Sequence, residues 1–174
     1  MMETRHLDAA AVMADQCLCF RARGIARAVT RLYDAALRPM GIQATQLTLM
    51  NAIARVAARV GGGEGKGRGG GAPMSQIAAA IAMDVTTVSR TVRTLEAGGL
   101  VAIERSPEDR RVRLVRLTEA GERKVAEALP AWRSAQARIE EALGPELAAV
   151  LRDGFDAAVE AAVESAEHGG EEDG

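Results

Sequence analysis

Aromatic residues are almost missing from this chain of 174 residues: Phe20, Tyr33, Trp132 and Phe155 are all it has. A base-stacking RNA module needs several on one face, so that class is excluded. Cysteine is as scarce. Cys17 and Cys19, two positions apart, cannot make the disulfide framework of a secreted domain, and the expected compartment is the cytoplasm. No apolar run approaches the roughly 20 residues that cross a bilayer, so no membrane partner is expected. Asp8 and Asp15 stand where a signal peptide would be apolar. The two histidines, His6 and His168, lie near the ends, and Cys-x-Cys lacks the spacing of a structural zinc site; neither metal nor cofactor is expected. Without a histidine in the central region, an acid/base pair or a nucleotide-binding glycine motif, an enzyme is not expected.

Apolar residues make up 48% of the chain, enough for a sizeable aliphatic core. The net charge of −2 hides an asymmetry. Residues 1–73 carry ten basic and five acidic side chains, residues 74–117 seven and five, and residues 118–174 five and fourteen. A basic front and an acidic rear point to one face meeting a polyanion.

Ile25, Val29, Leu32 and Ala36 form a helical stripe within a long helix over 8–38, ended by Pro39 and Gly41. A second helix is expected over 44–60. Gly61–Gly71 holds eight glycines in eleven residues and reads as a flexible, exposed loop. Its Gly65-Lys66 lacks the remainder of a phosphate-cradling motif. Order resumes at Pro73. Ser75 is expected to cap a helix over 76–82, and Asp84 a second over 85–97, stopped by Gly98-Gly99. Strands follow over 100–104 and 112–117, around a turn at Ser106–Arg111. Thr118 then caps a long helix whose apolar seam reads Val125, Leu129, Trp132, Ile139 and Leu143, with a kink at Pro130. Gly144-Pro145 starts a last helix, with Leu147, Leu151, Phe155, Ala158 and Ala162 inward. Residues 167–174 are expected to be a disordered acidic tail.

The expected fold is therefore mainly α with a small β-hairpin wing, a winged helix-turn-helix between long terminal helices. It divides into an N-terminal dimerisation helix (1–43), the DNA-binding domain (44–117, with the Gly-rich loop at 61–73) and C-terminal dimerisation helices (118–166). The second helix of such a unit offers its N-terminal residues to the major groove. Opposite Val88, Val92 and Leu95, this one presents Thr86, Thr87, Ser89, Arg90 and Arg93, which suit base edges and phosphates. Arg105, Arg110, Arg111, Arg113 and Arg116 crowd the hairpin, where guanidinium fits a narrow minor groove. Double-stranded DNA is the expected partner. A winged-helix protein-interaction module is the alternative.

Ser75-Gln76-Ile77-Ala78, Asp84-Val85-Thr86-Thr87-Val88-Ser89-Arg90, Leu95-Glu96-Ala97-Gly98-Gly99-Leu100-Val101, Pro107-Glu108-Asp109-Arg110-Arg111 and Leu114-Val115-Arg116-Leu117-Thr118-Glu119-Ala120-Gly121 closely resemble the MarR family of bacterial transcription regulators. The resemblance implies a homodimer with interlocked terminal helices. It also implies that Asp109 orients the wing, that Arg111 reaches the minor groove, and that Thr86, Thr87, Ser89 and Arg90 lie at the major groove. Gly61–Gly71 departs from the family's short connection there. Surplus apolar surface on the terminal helices independently favours an isologous dimer, and thus an inverted-repeat operator. The expected function is a transcription regulator, a repressor or an activator, with the repressor preferred.

Two kinds of effector fit. Leu18-Cys19-Phe20 resembles the cysteine segment of the family's peroxide-sensing OhrR branch, with Tyr33 at the position of a tyrosine near the thiolate; a second tyrosine of that branch falls on Arg23. Cys17 and Cys19, with Arg21, Arg23 and Arg27 following, are thus candidates for sensing an organic hydroperoxide. The other is a small aromatic acid between the dimerisation region and the winged domain, its carboxylate paired with arginines of the first helix.

Overall fold

The computed structural model describes residues 2–60, 71–107 and 109–169. Helix α1 (Met2–Gln16) and helix α2 (Leu18–Leu37) are followed by a short 3-10 turn (Arg38–Met40) and α3 (Ala44–Val60). Then come β1 (Ala72–Pro73), α4 (Met74–Ala80), α5 (Val85–Ala97), β2 (Val101–Arg105), β3 (Arg113–Leu117), α6 (Glu119–Leu143) and α7 (Pro145–Gly169).

The expected first helix is two helices, broken at Cys17. Cys17 leaves the helical region with φ −73° and ψ 110°, and its Sγ accepts the amide of Phe20 at 3.4 Å as the N-cap of α2. The break leaves the Asp15 carbonyl without the Cys19 amide that a continuous helix would supply. The Arg21 guanidinium takes that place, donating at 2.6 and 3.1 Å. At the other end Gly41 adopts φ +66°, and the Asp34 carboxylate accepts the Ala44 amide at 2.7 Å, seating the start of α3.

A third strand joins the hairpin. The order is β1-β3-β2, antiparallel, with Ala72 opposite Val115 and Ile103 opposite Val115 on the other side. Pro73 is tolerated because β1 is an edge strand. Residues 61–70 of the expected glycine loop lie outside the described residues. Its last residue, Gly71, is buried rather than exposed: a Cβ there would stand 2.6 Å from Cβ of Leu114. Ser75 caps nothing; Pro73 is the N-cap of α4, and Ser75 lies exposed in its first turn.

The core packs Leu37, Leu49, Met50, Ile53, Ile77, Val88, Val92, Leu95 and Val115, none more than 2% exposed. The chain then locks α6 onto this unit. The Thr118 hydroxyl donates to the Gly99 carbonyl at 2.6 Å and accepts the Gly121 amide at 3.0 Å. Gly121 lies so close to the residue before β2 that a Cβ would fall 2.0 Å from the Leu100 carbonyl oxygen.

Helix α6 runs through Pro130, and its buried seam differs from the expected one. Gly121, Ala128 and Ala135, seven residues apart, are the buried positions, because small residues let α6 lie close against its neighbours. Leu129 and Trp132 stay partly exposed. In α7, broken off as expected at Gly144 (φ +77°), Leu147 and Phe155 are not inward: each is nearly half exposed, and Ala148 is the buried residue among the described side chains. The helix continues through residues 167–169, read from sequence as disordered; residues 170–174 lie outside the described residues. No described helix is long and apolar enough to cross a membrane.

Candidate nucleic-acid interface and effector cavity

Helix α5 is started by Asp84, whose Oδ1 accepts the Thr87 amide at 2.7 Å while Oδ2 accepts the Thr87 hydroxyl at 2.6 Å. These bonds favour the ionised form and hold the Asp84 carboxyl below its ordinary pKa. They also change the part expected of Thr87. Its hydroxyl proton is committed to the cap, and the residue is half-buried. Ser89 is half-buried as well, whereas Thr86, Arg90 and Arg93 are exposed. With Val88, Val92 and Leu95 packed inward, residues 86, 90 and 93 form the open face of α5.

The wing tip is ordered by short hydrogen bonds. Ser106 and Val112 amides donate to the Val112 and Asp109 carbonyls, each at 2.9 Å. The Asp109 carboxylate accepts the Arg111 amide at 2.9 Å and its guanidinium at 3.2 and 3.3 Å. The guanidinium first, then the amide, hold the Asp109 carboxyl below its usual pKa. The Arg111 side chain remains 92% exposed, carried outward on this clasp.

The remaining wing arginines divide in two. Arg116 pairs with Glu104 at 2.8 Å, so the structure withdraws it from the expected cluster. Arg105, Arg110 and Arg113 make no ion pair among the described residues, as do Arg90 and Arg93. Arg105 and Arg113 also stand directly opposite each other across the hairpin. Like charges in that position repel, and a polyanion relieves the cost. Cross-strand register, invisible before the strands are paired, is what sets Arg113 against Arg105.

The structure does not bring the three redox candidates together. Cys17 and Cys19 are free and exposed at the start of α2. Tyr33, fourteen residues on in the same helix, is about 21 Å along the axis at 1.5 Å per residue. Tyr33 instead stacks on Trp132 with ring centroids 6.5 Å apart and donates its hydroxyl to Gln136 Oε1. Gln136 in turn donates to Glu140 at 2.9 Å, and Arg152 of α7 pairs with Glu140 at 3.3 Å. Burial, and next the nearby Glu140 charge, raise the Tyr33 pKa. Among the described residues no three His, Cys, Asp or Glu side chains are grouped to hold a metal ion.

A cavity of about 260 Å³ lies where α2 and α3 meet the helix-turn-helix. Val29, Leu49, Ile81, Met83 and Val88 make it apolar; Tyr33 and the threonines 30, 45, 48 and 91 bring hydroxyls. No first-helix arginine lines it, so the expected carboxylate partner is missing there. The sequence pointed to a ligand between these two regions but not to these lining residues, because they lie up to 62 positions apart.

Residues 66–112, which include most of this interface, match the model of the MarR family. No curated protein matches the sequence. Among solved structures, the transcriptional regulator MosR of M. tuberculosis in complex with DNA is 28% identical, covering 86% of this chain and 98% of its own, with a TM-score of 0.70. MarR of E. coli, a mutant complexed with operator DNA, is 18% identical over 84% of this chain and 96% of its own, at 0.69. CouR of Rhodococcus jostii RHA1, bound to p-coumaroyl-CoA, is 22% identical over 83% and 93%, at 0.65.

Proposed function

We propose that this chain, a MarR-family winged-helix protein by the match over its reading head and by its fold, is a DNA-binding transcription regulator acting as a homodimeric repressor. Its operator is an inverted repeat, and a small effector or an oxidant releases it. The observation that carries the reading is the set of exposed arginines at positions 90, 93, 105, 110 and 113, without an ion pair among the described residues, joined by the clasped Arg111 at the wing tip. MosR, a transcriptional regulator, and MarR were each solved with DNA, which supports the reading.

In this reading Thr86, Arg90 and Arg93 meet the major groove, with Thr87 and Ser89 behind them and Ser75 beside the phosphates. Arg105, Arg110 and Arg111 meet the minor groove, Asp109 holding Arg111 in place. The second copy covers the apolar residues that α1, α2 and α7 leave open, and its reading head falls one DNA turn away. The protein works in the cytoplasm, where the chromosome is.

Two effector routes are compatible with this geometry. An aromatic ligand in the cavity touches α2, α3 and α5 together, so its binding is coupled to the angle between the dimerisation helices and the reading head. Oxidation at Cys17 or Cys19 acts at the break between α1 and α2, where both thiols are exposed. In that case Tyr33 is not the thiol's partner within one chain.

Fluorescence anisotropy with DNA from upstream of the protein's own gene tests the proposal. Tight binding that weakens steeply with salt is expected. A winged-helix module that binds protein instead gives no DNA titration at all. Organic hydroperoxide added to the complex separates the two effector routes, and Cys19→Ser removes the response if the thiol carries it.

A further inference from the structure

Apolar exposure on the winged unit gathers at the start of α5. Among the described residues from 71 to 117, only Met83 and Val85 are large apolar side chains left exposed, at 42% and 49%. Most others of this kind, such as Phe20, Trp132, Val150 and Phe155, lie on the terminal helices, where a second chain can cover them. Met83 has a use within its own chain. It precedes the N-cap Asp84 and lines the cavity together with Val88, the arrangement of a hydrophobic staple. Val85 has no such use. It is the first residue of α5 and belongs neither to the core nor to the cavity wall.

Stability alone does not favour valine in that place. A β-branched side chain loses rotamer freedom in a helix, and an exposed one gains no packing in return. A local rule broken without compensation is expected at functional positions. The position also has a direction. Cα–Cβ bonds tilt toward the helix N-terminus, so side chains of the first turn project ahead of the helix. In a helix-turn-helix that end of the second helix enters the major groove. Thr87 is spent on the cap, which leaves Val85 and Thr86 exposed in the first turn. Val85 can neither donate nor accept a hydrogen bond. The one apolar group that base edges present in the major groove is the C5 methyl of thymine.

We propose that Val85 is a specificity-determining residue that reads a thymine in each operator half-site through its C5 methyl. Set against cytosine, the same side chain meets an amino donor that it cannot pair. The proposal rests on α5 being the recognition helix of a DNA-binding regulator, and it adds a base contact to the hydroxyl and guanidinium contacts of that helix.

Anisotropy titrations of the full chain test it, with the duplex from upstream of the protein's own gene. Thymines at matching positions of the two half-sites are replaced in turn by deoxyuridine, which lacks only the methyl. At one position the replacement is expected to weaken binding by about three- to fivefold for each half-site, the worth of one buried methyl. Val85→Ala is expected to lose a comparable factor on the natural duplex and to be insensitive to that replacement, so that the two losses do not add. Its melting temperature should not fall, because alanine is the better helix former. Binding that ignores every thymine methyl, or a deoxyuridine penalty of equal size in Val85→Ala, overturns the contact and leaves the regulator standing. A chain that binds no DNA refutes the regulator and the contact with it.

Discussion

Between Leu37 and Val115 the chain builds a core in which Met50, Ile53, Ile77, Val92 and Val115 are fully buried. The terminal helices are of comparable length and apolar content but do not close on themselves. Phe20, Met13, Trp132, Val150 and Phe155 are between 38% and 67% exposed. The difference shows where each part finds its stability. The winged unit draws on its own packing and on caps at Asp84 and Thr118; the terminal helices need a second surface, which the proposed dimer supplies.

Substitutions sharpen this contrast, the largest effects first. Ile53→Ala opens a cavity in the closed core and is expected to lower unfolding stability by about 2–5 kcal/mol at any protein concentration, as read by urea denaturation. Gly121→Ala is expected to cost about 1–3 kcal/mol, because its methyl meets the Leu100 carbonyl and α6 must shift. Phe155→Asp should leave the winged unit folded but raise the dimer dissociation constant by about tenfold or more, seen by sedimentation equilibrium. An Ile53→Ala penalty that vanishes on dilution, or a dimer dissociation constant unchanged by Phe155→Asp, would break the comparison.

Smaller effects separate the arginines of the wing and of α5. Arg111→Ala is expected to weaken DNA binding for all sequences and lower the slope of log affinity against log salt by about one unit. Arg90→Ala should cost about 1–3 kcal/mol on the operator and less on unrelated DNA, if its side chain reads a base. Arg116→Ala, already paired with Glu104, is expected to change the salt slope little. The pH effect is smallest. The Asp109 pKa is lowered in the fold, so its contribution to stability is present above the ordinary carboxylate pKa and is lost as pH falls through the folded value. DNA affinity should therefore show no Asp109 titration between pH 5 and 8 in anisotropy measurements at about constant ionic strength.

Much of this was legible in the sequence because the signals are local. The caps at Asp84 and Thr118, the stop at Gly98-Gly99 and the break at Gly144-Pro145 each depend on neighbouring residues, and the helix over 44–60 on an uninterrupted apolar period. What was hidden depends on partners far along the chain. Gly71 looks like any other loop glycine until Leu114 is packed beside it. Ala72-Pro73 is too short to show alternation, and β3 alone makes it a strand. The break at Cys17 has neither glycine nor proline to announce it, and it depends on a thiol cap and on Arg21 reaching back two turns. At the interface, residue types were readable and their availability was not. Thr87 is spent on a cap and Arg116 on Glu104, while register alone exposes the Arg105–Arg113 pair.

The most direct test is sedimentation of the chain with a labelled duplex from upstream of its own gene, at two salt concentrations. The account predicts two chains bound per site in one step, released as salt rises. A single bound chain, or no complex at low salt, would contradict it.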